Sequence, residues 1–202
     1  AKVSIEANTR YIAGDHAELI GDDNGGIVEY RTLDTVRSNG GADFIQVGDQ
    51  TDLSGMDLGR NYVMAGMSTD TVLISAGIDN AGVLRFGGAS SEDVVLGDNG
   101  EMLRTESAVG AELIPNLMLR LQTIQNDKGD SDQIAMAFGT KVVLGGVAGD
   151  TIQALDGDHL VLGDNGRLDY DSVADNGVLR TVTTTDIVIG GDDQITLGEG
   201  YT

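Results

Sequence analysis

The chain spells Gly-Asp-Asn-Gly at 97–100 and again at 163–166, and with one extra aspartate as Gly21-Asp22-Asp23-Asn24-Gly25. A short apolar run precedes each: Ala17-Glu18-Leu19-Ile20, Val94-Val95-Leu96 and Leu160-Val161-Leu162. Their aliphatic and β-branched content predicts strands, and Asp-Asn-Gly after them predicts a turn that tolerates positive φ. A chain that repeats its own punctuation is a repeat protein. A side chain that recurs at equivalent places is then assigned to the repeat before it is assigned to chemistry.

Composition narrows what the repeats build. Among 202 residues only 4% are aromatic, with no Trp and one Pro, which is little bulky material for an ordinary globular core. Thirty Gly without a collagen period, beside 40% hydrophobic residues, point to tight turns between many short strands. The net charge of −21 excludes nucleic acid as a partner and opposes anionic membranes. It leaves a cation as the natural partner, or an acidic surface adapted to salt. The acids cluster in Gly-Asp and Asp-Asn turns instead of dotting strand faces, which favours the cation.

No Cys is present, so neither a disulfide framework nor a thiolate site is available. No run approaches the ~20 apolar residues of a membrane-spanning helix, and AKVSIEANTR is not a secretory leader, so membrane insertion is not expected. The opening Ala1 suggests processing, or excision from a longer chain.

Aligning outward from the turns brings further blocks into register. Gly40 to Val47, Gly129 to Met136 and Gly190 to Leu197 all read GxxDxIxU, with Arg31, Arg120 and Arg180 standing upstream in strand-like runs. Ala65 to Val72 and Gly145 to Ile152 form a second pair of blocks. Near the start, Lys2-Val3-Ser4-Ile5 is similar to Lys141-Val142-Val143-Leu144, and the stretch Tyr11 to His16 to that from Thr151 to His159. The expected organisation is one repeat domain, 1–202, with units at 17–92, 93–159 and 160–202, the last completed by a segment like 1–16. Between 106 and 125, Pro115 and Gly110 break any helix, predicting a loop that enters a strand at Leu117 to Ile124, with room for one helical turn. In the third unit, Tyr170 to Gly177 ends in Asn-Gly and predicts a hairpin.

Gly145-Gly146-Val147-Ala148-Gly149-Asp150-Thr151-Ile152-Gln153 and Gly88 to Leu96 place an Asp sixth and an aliphatic residue eighth in a Gly-rich nonapeptide. This resembles the GGxGxDxUx repeat of the RTX (repeats-in-toxin) family found in large secreted bacterial surface proteins and adhesins. The resemblance implies an all-β fold, a parallel β-roll or β-solenoid of about three degenerate units with hairpin insertions. It also implies Ca²⁺, because a Gly-rich turn offers main-chain carbonyls while its Asp adds a carboxylate to a cation that takes six to eight hard oxygens. The aliphatic residue two places after each Asp then points into the core.

The ligands implied are Asp43, Asp70, Asp93, Asp98, Asp132, Asp150 and Asp164. Gly145, Gly146, Gly149 and Asp158 join them from the second unit, with Gly190, Gly191, Asp192 and Asp193 from the last. Strict GGxGxD runs in succession are absent, so a few ions are expected instead of one per turn. Asp22, Asp98 and Asp164 suit either Ca²⁺ or Asx-turns. His16 and His159 each follow Gly-Asp, which suits a turn role or a pair of metal ligands.

The function these features predict is a calcium-stabilised structural repeat protein of the extracellular space or cell surface, part of an adhesin, surface layer or filament. It would be partnered head-to-tail by copies of itself, or by flanking repeats of a longer chain. The alternative is an RTX accessory domain of a secreted protease, lipase or polysaccharide-active enzyme. No HExxH, no GxSxG and no His beside a nucleophile outside repeat positions is found, so the chain is not expected to be an enzyme itself.

Overall fold

Four apolar triplets, Tyr62-Val63-Met64, Val94-Val95-Leu96, Val142-Val143-Leu144 and Leu160-Val161-Leu162, have no polar alternate. A strand made from any of them needs cover on both faces. The computed structural model, which describes residues 8–23, 26–36, 40–51, 53, 55–105, 117–171 and 178–200, places all four in the middle sheet of a three-sheet sandwich.

The chain builds the sandwich in five layers. The first holds β1 (Thr9–Ala13), β2 (Ala17–Gly21), β3 (Ile27–Thr32) and β4 (Phe44–Val47). The second holds β5 (Asp57–Met64) and β6 (Thr71–Ile74), and then a small hairpin, β7 (Ala76–Ile78) and β8 (Leu84–Phe86). β9 (Ser90–Leu96), β10 (Gly100–Arg104), β11 (Met118–Thr123) and β12 (Gln133–Met136) make the third, and β13 (Lys141–Gly146) with β14 (Thr151–Ala154) the fourth. The fifth holds β15 (His159–Asp164), β16 (Gly166–Asp171), β17 (Val178–Thr184) and β18 (Gln194–Leu197).

The first strand of each layer joins the central sheet, β1-β5-β9-β13-β15, which is parallel throughout. One later strand of each layer joins a second parallel sheet, β4-β6-β12-β14-β18. Successive side chains of the central strands point to opposite faces, and each face has its own core. Val63, Val95 and Val143 pack with Ile45, Val72, Ile134 and Ile152 of the second sheet. Tyr62, Met64, Leu96 and Leu144 pack with Tyr30, Met102, Leu121 and Leu168 of a third sheet. The outer face of the second sheet is covered in part by the β7–β8 hairpin, which closes over Leu73 and Ala135.

The third sheet corrects the expected fold. Hairpins β2–β3, β10–β11 and β16–β17 are not insertions hanging from a single parallel roll of three units. They pair with one another into a six-stranded antiparallel sheet, β2-β3-β10-β11-β16-β17, beside two parallel sheets of five strands. The cause is dimensional. A hairpin is two strands high, about 9.6 Å at the usual interstrand spacing, and so spans two layers. Hairpins inserted between the central and second sheets only in the first, third and fifth layers therefore meet edge to edge, and the second and fourth layers pass directly from central to second sheet.

Matching letters also misplaced two segments. Asp22 lies in the β2–β3 turn, where its main-chain N–H donates to Gly26 O at 2.9 Å and Gly26 N–H donates to Asp22 Oδ1 at 2.9 Å. The first-layer counterpart of Gly97-Asp98-Asn99 is Gly14-Asp15-His16: Gly14 N–H donates to Met64 O as Gly97 N–H does to Leu144 O, at 3.1 and 3.0 Å. Tyr11 pairs with Tyr62 in the central sheet, so its stretch matches the central strands and not the Thr151 strand. Residues 2–5 and the predicted helical turn within 106–116 lie outside the described residues. The strand predicted after that turn is β11, and the predicted third-unit hairpin joins β16 to β17.

Candidate metal centre

Where the chain leaves the central sheet and enters the second one, every layer puts an aspartate immediately before its second-sheet strand: Asp43, Asp70, Asp132, Asp150 and Asp193. The parallel register stacks them, because Phe44, Thr71, Gln133, Thr151 and Gln194 are direct neighbours. Each Asp main-chain N–H donates to the Oδ1 of the Asp one layer on. Asp43 to Asp70 is 2.7 Å, Asp70 to Asp132 and Asp132 to Asp150 are each 2.8 Å, and Asp150 to Asp193 is 2.9 Å.

A second row begins where the central strands of the odd layers end: Asp15, Asp98 and Asp164. Asp98 Oδ2 accepts the Val147 N–H of the fourth layer at 2.5 Å and its Oδ1 accepts that of Asp130 at 3.3 Å. Asp15 accepts the Met67 N–H at 2.7 Å and the Gly41 N–H at 3.2 Å, and Asp164 accepts the Gly191 N–H at 2.9 Å.

The ladder satisfies Oδ1 of Asp70, Asp132, Asp150 and Asp193, and Asp43 enters it only through its N–H. Oδ2 of Asp43, Asp70, Asp132 and Asp150 is buried without a hydrogen-bond partner, and the last three residues are 1%, 3% and 1% exposed. These oxygens converge on the open sides of corner glycines. A Cβ on Gly97 would strike Asp132 Oδ2 and Gly145 O together, and one on Gly145 would strike Asp150 Oδ2 and Gly163 O. Glycine is required there because a carboxylate and a carbonyl close on the same small volume.

Burial without compensation raises the affinity of these groups for protons. It pushes Asp70 and Asp150 up to about 7, Asp98 to about 8 and Asp132 to about 9, with neighbouring aspartates adding repulsion, Asp98 on Asp132 foremost. Asp43 and Asp193, nearer the ends, are raised for the same reason. Two carboxylates ~4 Å apart repel by about 4 kcal/mol at an effective dielectric of 20, so a stack of them calls for protons or for a cation. Among the described residues, no group of three or more His, Asp or Glu side chains could hold a metal by itself. A divalent cation here would take oxygens from main chain and side chain together. The donor set is all oxygen, which is the chemistry of Ca²⁺ and not of Zn²⁺.

The structure thus gathers Asp43, Asp70, Asp98, Asp132, Asp150, Asp164 and Asp193 at one corner. Gly145 and Gly146 line the same corner, and Gly190 and Gly191 pack against Asp164 and the fourth-layer turn. Gly149 sits against the main chain of Asp192, whose side chain is exposed. Asp15 was missed, although Gly14-Asp15 after an apolar run signals it. Two predicted residues lie elsewhere. Asp93 Oδ2 pairs with the fully buried Lys141 Nζ at 2.6 Å and its Oδ1 accepts from Asn61 Nδ2 at 2.7 Å, so its charge is already balanced. Asp158 precedes a central strand, and its carbonyl accepts the Lys141 N–H at 3.1 Å.

The histidines are not a pair: His16 Nδ1 lies 3.0 Å from Asp34 Oδ1 on the corner of the first layer, and His159 Nε2 lies 2.6 Å from Leu155 O. Arg31, Arg120 and Arg180 fall in the second strand of each hairpin and pair with Glu18, Asp169 and Asp171. No family profile, curated protein sequence or solved structure matches the chain, so the likeness to RTX repeats rests on the motifs alone.

Proposed function

We propose that this chain is a calcium-stabilised structural repeat protein of the extracellular space or cell surface, serving as a segment of an adhesin, surface layer or filament. The observation that carries the reading is the aspartate stack with its buried, unpartnered Oδ2 atoms. Without a cation such a corner holds protons at neutral pH that the unfolded chain would release, and Ca²⁺ would supply the compensation instead. Asp70, Asp98, Asp132 and Asp150 would hold ions with carbonyls such as Gly145 O. Each site at tenfold its dissociation constant adds roughly 1.4 kcal/mol to stability, so a few sites decide whether the corner closes. Millimolar extracellular calcium meets that condition for modules that bind at roughly 10⁻⁴ M, the tighter end of the extracellular range. Binding in that range suits folding after export, in keeping with the likeness to RTX repeats on which this reading draws. The partners are further layers of similar build, in the same chain or in another copy.

The test is thermal melting by circular dichroism in chelator and in millimolar calcium at low salt. A rise in melting temperature with calcium, absent with equal ionic strength of a monovalent salt, is expected. A β-signal and melting temperature indifferent to chelation would overturn the calcium claim.

A further inference from the structure

We infer that the fifth-layer end of the stack is a half-built sixth layer, and that its occupant is a single hairpin-free layer of the kind formed by Lys141–Asp158, not the first layer of a second copy. This rests on the structural-repeat reading and names the partner that the reading leaves open.

Three observations converge. The first is β17. β2, β10 and β16 leave the central strands β1, β9 and β15 by short corners, so they lie level with the first, third and fifth layers. β3 and β11, between them, fill the levels of the second and fourth layers, and β11 lies against β13 accordingly. By the same order β17 stands level with a sixth layer, for which the described residues hold no central or second-sheet strand. On the inward rung of the antiparallel sheet Tyr30, Met102, Leu121 and Leu168 are 0–1% exposed, and the two edge residues aligned with them, Leu19 and Val182, are 38% and 43% exposed.

The second is the corner. Asp15 and Asp98 each accept an N–H from the hairpin-free turn one layer on, Met67 and Val147 respectively. Asp164 is the third of that row, and its counterpart donor would belong to a hairpin-free turn in layer six. The third is the ladder, which ends at Asp193, while Ile195 and Leu197 leave the second-sheet core 42% and 43% exposed.

A second copy does not fit directly. Its first layer carries β2 at its own level, the level β17 already holds, and hairpins in two successive layers need four strands where their three levels admit three. Moving that copy up one layer leaves a gap about 4.8 Å high in both parallel sheets.

The experiment compares the full chain with two extended forms, one carrying a second copy of 141–158 after Thr202 and one carrying a second copy of 9–47. Amide hydrogen exchange is read at His159–Asp164 and Gln194–Leu197, with sedimentation of the unextended chain, all in millimolar calcium. Expected are about tenfold slower exchange in both edge strands with the 141–158 extension, no slowing with 9–47, and a monomeric parent. Val182→Asp, at an exposed position of the parent, should leave the parent's melting unchanged and abolish the protection. Equal exchange in the parent and the 141–158 form, protection by 9–47, or end-to-end polymers of the unextended chain would each overturn the inference. None of these outcomes alters the calcium response of the parent, so the two readings fail separately.

Discussion

Asp132→Asn separates a carboxylate that needs a cation from one that is merely tolerated. Asp132 is 3% exposed and burial, with Asp98 beside it, pushes it up to about 9 from an ordinary 3.8. At pH 7 the unfolded chain therefore gains about 4 kcal/mol from ionising this group that the metal-free fold forgoes, at 1.36 kcal/mol per pH unit. Asparagine removes that difference. Its Oδ1 still accepts the Asp70 N–H, and its amide replaces the unpartnered Oδ2 with a donor facing Gly145 O. Because Asp132 and Asp98 share their repulsion, part of the 4 kcal/mol is recovered, and about 2 kcal/mol is the expected gain in chelator. For a chain of this length that is a rise of roughly 4–8 °C in melting temperature. In calcium the sign reverses, since the same change removes an ionic ligand. Urea and thermal midpoints of wild type and D132N, each in chelator and in saturating calcium, read the effect. A shift of the same sign and size in both conditions would refute the claim that this oxygen faces a cation.

Two further outcomes follow from the same structure. In chelator, stability should be greatest near pH 4 and fall toward about pH 9. Asp70, Asp98, Asp132 and Asp150 have raised values in the fold, so the folded chain holds more protons through that window and loses them as pH rises through about 7 to 9; a urea midpoint higher at about pH 8 than at about pH 5 would contradict it. Lys141→Met should cost about 3–5 kcal/mol in calcium and in chelator alike, because it strands Asp93 in a fully buried site, while Lys141→Met with Asp93→Leu should restore much of the loss; comparable midpoints for the single variant and wild type would show the pair to be dispensable.

Much of the candidate site is legible in the residues. GxxDxIxU at Asp43, Asp132 and Asp193, and Gly-x-x-x-Asp at Asp70 and Asp150, are the stacked row itself. They are legible because stacking at one strand spacing forces the same residue types into every layer, so the chemistry is written once per turn. Asp15 escaped because His16 fills the place that Asn99 and Asn165 take in the later layers, which broke the matching letters but not the hydrogen bonds: the carbonyls of His16, Asn99 and Asn165 accept from Leu33, Ile124 and Thr185 alike. Asp93 misled for the opposite reason. Its Gly-rich setting has the right spacing, and only the fold shows that Lys141, 48 residues away, neutralises it.

The amino-acid sequence by itself determined that the chain is built of short strands and Gly-Asp turns in repeating order, and which aspartates recur. Both are local properties, set by side-chain alternation and by φ. What the tertiary structure alone decided is how the layers join: the apolar triplets became a central sheet covered on both faces, and three hairpins became one antiparallel sheet instead of three insertions. That choice depends on heights along the stack. A hairpin's two strands must match two layers, and no residue states its height; it follows only from counting which strands lie beneath it.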